Sequence, residues 1–158
     1  MTTFVKVRNL TFDTVVNYQG KYVDLAVQLS GLLAQLSKNV RPVTAADLLA
    51  VSINRATETV ELLFLNEVLI GTAQASLVRT LGAPLVVVNN VVIHNDYRRQ
   101  GFGTQLMQQV LRRVRLKWQH DEPLLVQLTS RADRGTAHMY AELGFTVRNT
   151  IVYQQMIQ

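Results

Sequence analysis

The sequence contains no cysteine, three prolines and few aromatic residues, which make up 7% of its 158 positions. Without cysteine the chain can form neither disulfide bonds nor thiolate metal sites, and this composition fits a reducing compartment, so we expect a cytoplasmic location. Charged residues reach 17% whereas hydrophobic residues reach 48%, which favours a packed fold over a disordered chain. Because no linker or repeat interrupts the chain, we expect one domain over residues 1–158.

Long apolar runs and acidic charge are also scarce. No stretch approaches the roughly 18 apolar residues that a membrane span needs, and the N-terminus lacks the basic-then-apolar pattern of a signal peptide, so we expect no membrane partner. The 16 Lys and Arg outnumber the 11 Asp and Glu, which gives a formal net charge of +5. That excess favours an anionic partner, which composition leaves open as nucleic acid, anionic lipid or a phosphorylated small molecule.

Apolar periodicity predicts an alternation of helices and strands. Apolar residues at helical spacing predict four helices. The first covers residues 22–36, and the second is capped by Thr44 and ends at Ile53. The third begins after the glycines at 101 and 103 and ends at the break at 121–123, and the fourth covers residues 133–143. Strand-like runs cover residues 4–8, 59–65, 68–79, 85–93 and 124–128, with one or two further strands over 145–157. The runs 85–93 and 124–128 are expected to be buried strands, made parallel by a right-handed crossover.

A basic loop with two glycines follows the apolar run that ends at Ile93. It reads Arg98-Arg99-Gln100-Gly101-Phe102-Gly103 and opens a helix, whose first amides lack partners within the helix and favour an anion. Glycine leaves those amides accessible to phosphate oxygens. The loop lacks the third glycine of the Rossmann fingerprint and the Gly-Lys-Ser/Thr of a P-loop. On its own, the pattern also fits an ordinary strand-to-helix turn with two solvated arginines.

Two segments resemble the GNAT N-acetyltransferase superfamily. The loop at 98–103 matches its Gln/Arg-x-x-Gly-x-Gly/Ala signature, and residues 134–145, Arg-Gly-Thr-Ala-His-Met-Tyr-Ala-Glu-Leu-Gly-Phe, resemble its second block, a tyrosine-bearing helix that ends in Leu-Gly-Phe. The resemblance is clear from about residue 59 to residue 153. It implies an α/β (α+β) GNAT fold: a central, mixed, mostly antiparallel sheet of six to seven strands with a parallel central pair, and about four flanking helices.

The resemblance also implies a binding site for acetyl-CoA. Loop amides would hold its pyrophosphate, and strand backbone would pair with its pantetheine arm, with an amide at Val92 or Ile93 polarising the thioester carbonyl. Arg134 stands where many relatives have an asparagine that contacts the coenzyme, and it either meets the phosphates or is solvated. A bulge that splays the parallel strands is expected at Asn89-Asn90. The implied binding residues are Val91, Val92, Ile93, Arg98, Arg99, Gln100, Gly101, Phe102, Gly103, Thr104 and Arg134.

Tyr140 matches the family tyrosine that protonates the departing thiolate, although it also fits the core of an amphipathic helix. The identity of the general base is left open by the sequence. Asn89 and Asn90 stand where many relatives carry a carboxylate, and an asparagine amide cannot accept a proton. The alternatives are a water chain or one of three side chains. His94 also fits a loop histidine packed beside Tyr97. The candidate side chains are His94, Glu67 and Asp96.

The interpretation from sequence is therefore transfer of an acetyl group from acetyl-CoA to a primary amine of a small molecule or peptide. One alternative is an acyl-CoA-binding sensor without catalysis. Nucleic acid binding is disfavoured, because the basic group at 112–117 has no interleaved aromatic residues. The histidines lack metal-ligand spacing, so no metal is expected. The acceptor is expected near residues 17–39 and the turns at Asn66 and Gly82, and a homodimer is an open alternative.

Overall fold

The apolar periods of the sequence form strands and helices close to the predicted bounds. The structure, a computed structural model, describes residues 4–11, 22–37, 39–118, 123–155 and 157. The strands in these ranges are β1 (Val5–Asn9), β2 (Glu58–Leu65), β3 (Val68–Val78), β4 (Leu85–Ile93) and β5 (Leu125–Leu128). The α-helices in these ranges are α1 (Tyr22–Ala34), α2 (Ala45–Ile53), α3 (Phe102–Trp118) and α4 (Ala137–Glu142). Residues 17–21 and 38 of the expected acceptor region, and 119–122 at the predicted helix end, lie outside the described residues.

The strands lie side by side in chain order, β1-β2-β3-β4-β5. Neighbours from β1 to β4 are antiparallel, and β4 pairs with β5 in parallel from Leu85↔Leu125 to Val88↔Leu128. The parallel pairing confirms the predicted crossover through α3. The turn between β2 and β3 is Asn66-Glu67, where both residues have positive φ, as two-residue hairpin turns that match strand twist require.

The sheet is smaller than the resemblance implies. Within the described ranges it has five strands instead of six to seven, and the parallel pair lies at one edge instead of the centre. No strand forms in the described residues after Phe145, where the side chains are exposed and the backbone joins no ladder. Among the described residues no strand pairs with the outer edge of β5, and Leu125 is 54% exposed, so the expectation of a buried strand there is wrong.

Two apolar layers cover the two faces of the sheet, since side chains alternate along each strand. Leu62 and Phe64 of β2 pack with buried leucines of α1 and α2 on one face. Leu63 of β2 packs with α3 on the other. The helical spacing of apolar residues predicted after the glycines at 101 and 103 is confirmed as one buried stripe of α3. Its members are Leu106, Met107, Val110, Val114 and Trp118.

Caps and glycines set two helix boundaries. Thr44 caps α2 through a capping box with Asp47, which confirms the predicted start of that helix. The helix predicted over 133–143 is instead divided: a 3-10 helix, Ala132–Arg134, precedes α4. Gly135 separates the two with φ 64, a left-handed conformation that interrupts a right-handed helix.

Candidate active site

A bulge in β4 opens the sheet beside the parallel pair. Asn89 pairs with Gln74 and Val92 pairs with Thr72, so two residues of β4 stand opposite one residue of β3. Asn90 takes up the irregularity with φ 54, a left-handed conformation that asparagine tolerates better than most residues. The bulge predicted at Asn89-Asn90 is therefore confirmed. Both asparagines are exposed, so β4 is not buried on both faces along its whole length.

The two parallel strands pair over only part of β4. The ladder between them ends where Val88 faces Leu128, and β4 continues to Ile93. Within the described residues, the edge of β4 that faces away from β3 consequently has no strand beside it from residue 89 to residue 93. The predicted binding residues Val91, Val92 and Ile93 lie on this edge. An extended ligand with amide groups can hydrogen-bond to such an edge as an added strand does.

The loop after β4 and the first turn of α3 contain a series of backbone amides without hydrogen-bond acceptors among the described residues. Among the described residues, the backbone N–H groups from Arg99 to Thr104 have no hydrogen-bond acceptor. Arg99 and Gly101 both have positive φ, 60° and 82°, which turns the chain sharply before the helix. Unpaired amides at a helix N-terminus attract anions through the helix dipole and through direct hydrogen bonds. Gln100 and Phe102 belong to the same run.

Arg98 is fixed by the end of β4. Its Nε donates to the carbonyl oxygen of Ile93 at 2.9 Å, while its terminal nitrogens have no partner within the described ranges. The guanidinium thus stands between the strand end and the loop, with donors left for an anion.

Gly103 permits close contact between the start of α3 and α4. A Cβ at this position would lie 2.9 Å from the Sδ atom of Met139. Met139 directly precedes Tyr140, so the pairing brings the helix that carries the predicted acid against the predicted anion site. The two sequence blocks are therefore neighbours in space.

Tyr140 is half-buried, and its ring packs edge-on against Phe145 with centroids 5.9 Å apart. Burial raises the pKa of its hydroxyl above the usual value of 10.0, because the charged phenolate is poorly solvated there. Within the described part of the chain, this hydroxyl has no hydrogen-bond partner. A protonated phenol with a free O–H is suited to donate a proton.

Arg134 connects the turn after β5 to the end of α1. Its two terminal nitrogens donate to the carbonyl oxygens of Gln35 and Leu36, at 3.1 and 2.7 Å. The side chain of Gln35 in turn accepts from the amide of Asn95, just after β4, at 2.9 Å. The end of α1 is therefore held at two points beside the opening between β4 and β5.

The three side chains considered as general base, His94, Asp96 and Glu67, have different surroundings in the structure. The predicted packing of His94 beside Tyr97 is confirmed, with ring centroids 5.8 Å apart, and its Nδ1 accepts weakly from the amide of Asp96 at 3.4 Å. The carboxylate of Asp96 is exposed and lies 3.7 Å from the same nitrogen. Glu67 lies on the exposed hairpin turn and pairs with Arg8 of β1 at 3.8 Å. None of the three is joined to Asn89 or Asn90 by a hydrogen bond among the described residues.

Sequence reasoning missed Glu58, whose carboxylate accepts from Gln74 at 2.9 Å and from Ser76 at 2.7 Å. Gln74 also accepts from Asn90 at 3.2 Å. The signal that could have found this group is the alternation of β2, which puts Glu58 on the same face as Val60 and Leu62. The alternation of one strand does not show which residues of the neighbouring strand lie beside it, so the contacts of Glu58 with Gln74 and Ser76 could not be predicted.

Neither a metal cluster nor a membrane helix is found in the described residues. Within these ranges, no three His, Cys, Asp or Glu side chains are grouped closely enough to hold a metal ion. No helix in the same ranges is long and apolar enough to cross a membrane.

A family described as the acetyltransferase (GNAT) domain matches residues 58–147. The match spans more than half of the chain and includes both the loop before α3 and the helix that carries Tyr140. The chain belongs to the GNAT acetyltransferase family. None of the curated proteins matches it in sequence.

The fold is similar to solved acetyltransferase structures over nearly its whole length. An acetyltransferase of Trypanosoma brucei has a TM-score of 0.71 at 19% identity, covering 97% of this chain and 100% of that one. An aminoglycoside acetyltransferase from an uncultured soil metagenomic sample has a TM-score of 0.74 at 16% identity, with 98% and 97% covered. Glucosamine-6-phosphate N-acetyltransferase from Arabidopsis thaliana has a TM-score of 0.73 at 11% identity, with 98% and 99% covered. At these identities the likeness shows the fold alone.

Proposed function

We propose that the chain is an acetyl-CoA-dependent N-acyltransferase that acts on a primary amine of a small molecule or peptide. The observation that carries the proposal is the run of free amides from Arg99 to Thr104 next to the unpaired edge of β4. A pyrophosphate fits the amides, and an extended arm with amide groups fits the strand edge. Acetyl-CoA carries both and supplies the acetyl group as a thioester.

In this proposal the donor is held mainly by backbone. The edge of β4 orients the arm, the loop amides bind the pyrophosphate, and Arg98 adds charge from the strand end. A phosphate contact by Arg134 would replace its bonds to the carbonyls of Gln35 and Leu36. The proposed donor-binding residues are Val91, Val92, Ile93, Arg98, Arg99, Gln100, Gly101, Phe102, Gly103, Thr104 and Arg134.

Tyr140 is the proposed acid. A tyrosine hydroxyl is protonated near neutral pH, and burial, which raises the pKa of Tyr140 further, keeps it so; the proton is then available for the thiolate that leaves as the amine attacks the carbonyl. The base that deprotonates the ammonium is proposed to be water held at the exposed bulge, because Asn89 and Asn90 cannot accept a proton themselves.

A catalytically inactive acyl-CoA-binding sensor is the second candidate. It is favoured by the asparagines at the bulge, where a base would be expected. It is disfavoured by Tyr140, since a sensor has no use for a half-buried phenol with an unpaired hydroxyl.

Two measurements test the proposal. Calorimetric titration with acetyl-CoA is expected to give saturable binding, and an absence of binding at roughly 50 µM would reject both the enzyme and the sensor. Release of free thiol from acetyl-CoA is then followed with sisomicin, glucosamine 6-phosphate, spermidine, lysine and a lysine-containing peptide. Amine-dependent release supports the enzyme, whereas binding with no release above the amine-free rate supports the sensor.

A further inference from the structure

A hydrogen-bonded chain of side chains crosses three strands and ends at the bulge of β4. Ser76 and Gln74 of β3 both donate to Oε2 of Glu58 on β2, at 2.7 and 2.9 Å. Nδ2 of Asn90 donates to Oε1 of Gln74 at 3.2 Å. Each link joins one strand to the next, from a carboxylate in β2 to an amide in β4.

The chain lies on the face of the sheet that α1 and α2 partly cover. Glu58 shares its face with Val60 and Leu62, which pack against those helices, because side chains two apart in a strand point the same way. At the far end Asn90 is exposed. A ligand that enters on this face therefore has access to the asparagine, while Glu58, Gln74 and Ser76 remain partly buried behind it.

The carboxylate fixes the direction of every hydrogen bond in the chain. An ionised carboxylate only accepts, so Gln74 must turn its NH₂ group toward Glu58 and its carbonyl oxygen toward the bulge. That oxygen in turn holds the NH₂ group of Asn90. Within the described ranges, the carbonyl oxygen Oδ1 of Asn90 accepts no hydrogen bond and is left as the free acceptor at the exposed end.

Asn90 stands close to the backbone that the proposed function assigns to the donor. It precedes Val92 by two residues, and its left-handed backbone belongs to the bulge that opens the edge of β4. The family resemblance implies a carboxylate at the position of Asn89 or Asn90 in many relatives. This chain offers an amide oxygen there, which can accept a hydrogen from an amine but cannot take its proton away.

We propose that Asn90 positions the acceptor amine through Oδ1, in an orientation that Gln74 and Glu58 impose. This inference rests on the proposed N-acyltransferase function and names the residues that receive its second substrate. Asn90 contacts the substrate, whereas Gln74 and Glu58 are positioning residues that act through it. The free oxygen accepts from a group that donates hydrogen bonds, as an ammonium or amine does, while one N–H of the Asn90 amide is engaged by Gln74.

The orientation can be tested without any substrate. In 15N-labelled protein, the side-chain NH₂ signals of Gln74 and Asn90 are compared between wild type, Glu58→Gln and a control, Glu142→Gln. Glu142 is an exposed carboxylate of α4, so the control removes the same charge elsewhere. We expect the signals of both amides to shift in Glu58→Gln and neither to shift in the control. An unmoved Asn90 signal in Glu58→Gln would overturn the imposed orientation.

The functional consequence is tested by steady-state kinetics with the panel amine that the wild type acetylates fastest. Glu58→Gln and Gln74→Met each keep the approximate volume of the side chain. The first replaces a group that only accepts by one that both accepts and donates, and the second removes the amide that joins Glu58 to Asn90. We expect each to raise the KM for the amine about tenfold, since about one hydrogen bond is lost, and to leave acetyl-CoA affinity within about twofold. Glu142→Gln is expected to match wild type in both.

The outcomes separate this inference from the proposed function. If wild type turns over no amine of the panel, the proposed enzyme is rejected and this inference with it. If wild type is active and both variants keep the wild-type KM for the amine, the inference alone is wrong. An equal loss of amine and acetyl-CoA affinity would indicate a general structural role for Glu58 and would also overturn it.

Discussion

The guanidinium of Arg113 on α3 donates from Nε to Oε1 of Glu61 on β2 at 3.0 Å, and Glu61 is fully buried. Asn9 of β1 donates to the same oxygen at 2.8 Å, while Oε2 has no partner in the described residues. A buried carboxylate needs such partners to offset its desolvation. The helix that begins at the proposed anion site is thus tied, near its other end, to the middle of the sheet.

Arg113→Met is expected to destabilise the fold, because it leaves Glu61 buried without its cation. Breaking a buried pair costs about 3 to 5 kcal/mol, and we expect about 3 kcal/mol here, because the side chain of Arg113 is 36% exposed. Urea denaturation measures the free energy of unfolding. Arg112→Met, on the exposed side of the same helix, is the matched control and should change it by no more than about 0.5 kcal/mol. Equal effects of the two variants would contradict this role for Glu61.

Gly101→Ala and Gly31→Ala are expected to have opposite effects on stability. A Cβ would meet no atom within 4 Å at either glycine, so backbone conformation decides. Gly101 has φ 82, which costs alanine about 1 to 2 kcal/mol, whereas Gly31 lies inside α1, where alanine gains about 0.5 to 1 kcal/mol. Thermal unfolding measures both changes, and calorimetry should show weaker acetyl-CoA binding for Gly101→Ala only. A stabilised Gly101→Ala protein would contradict the strained turn.

Tyr140→Phe is expected to lower kcat about 100-fold and to leave acetyl-CoA affinity unchanged. The ring and its contact with Phe145 remain, and only the proton donor is removed. Thiol release measures the rate and calorimetry the affinity. Tyr153→Phe is the control, since Tyr153 is 86% exposed. Wild-type turnover in Tyr140→Phe would remove Tyr140 from the role of acid.

The pH dependence of the same reaction follows from the raised pKa of Tyr140. The protonated phenol is the active form, and burial keeps it protonated at a pH where an exposed tyrosine begins to ionise. The contribution of Tyr140 to kcat should therefore be constant from about pH 7 to about pH 9 and be lost only as the pH rises through the raised pKa. A fall in the ratio of wild-type to Tyr140→Phe kcat within that range would contradict the assignment.

Arg134→Ala is expected to loosen the end of α1. The carbonyl oxygens of Gln35 and Leu36 lose their guanidinium donors, and the last turn then frays more readily. Hydrogen exchange of the amides at 35–37 should be about tenfold faster. The control is Arg131→Ala, because among the described residues the side chain of Arg131 pairs with the nearby, exposed Asp133 and not with α1. Unchanged exchange in Arg134→Ala would show that these bonds contribute nothing to holding α1.

Local pattern was sufficient for most elements of the fold. The cap at Thr44, the hairpin at Asn66-Glu67 and the stripe of α3 follow from residues within a few positions of one another, and the structure confirms all three. The division at Gly135 was missed, because helical periodicity does not reveal a left-handed residue. The strand count was also missed, since an apolar run shows only that a segment can pair, whereas pairing needs a partner in space.

The sequence by itself determined the glycine-bearing loop that opens α3, because glycines and helical spacing lie in one short segment. The resemblance carried by two such segments indicated the bulge at Asn89-Asn90 and the helix that bears Tyr140. Only the tertiary structure decided which groups from distant segments meet. Arg134 reaches Gln35 across 99 positions of the chain, and Glu58 reaches Asn90 through Gln74. Such contacts depend on strand register and on the packing of helices over the sheet, and no periodicity along the chain encodes them.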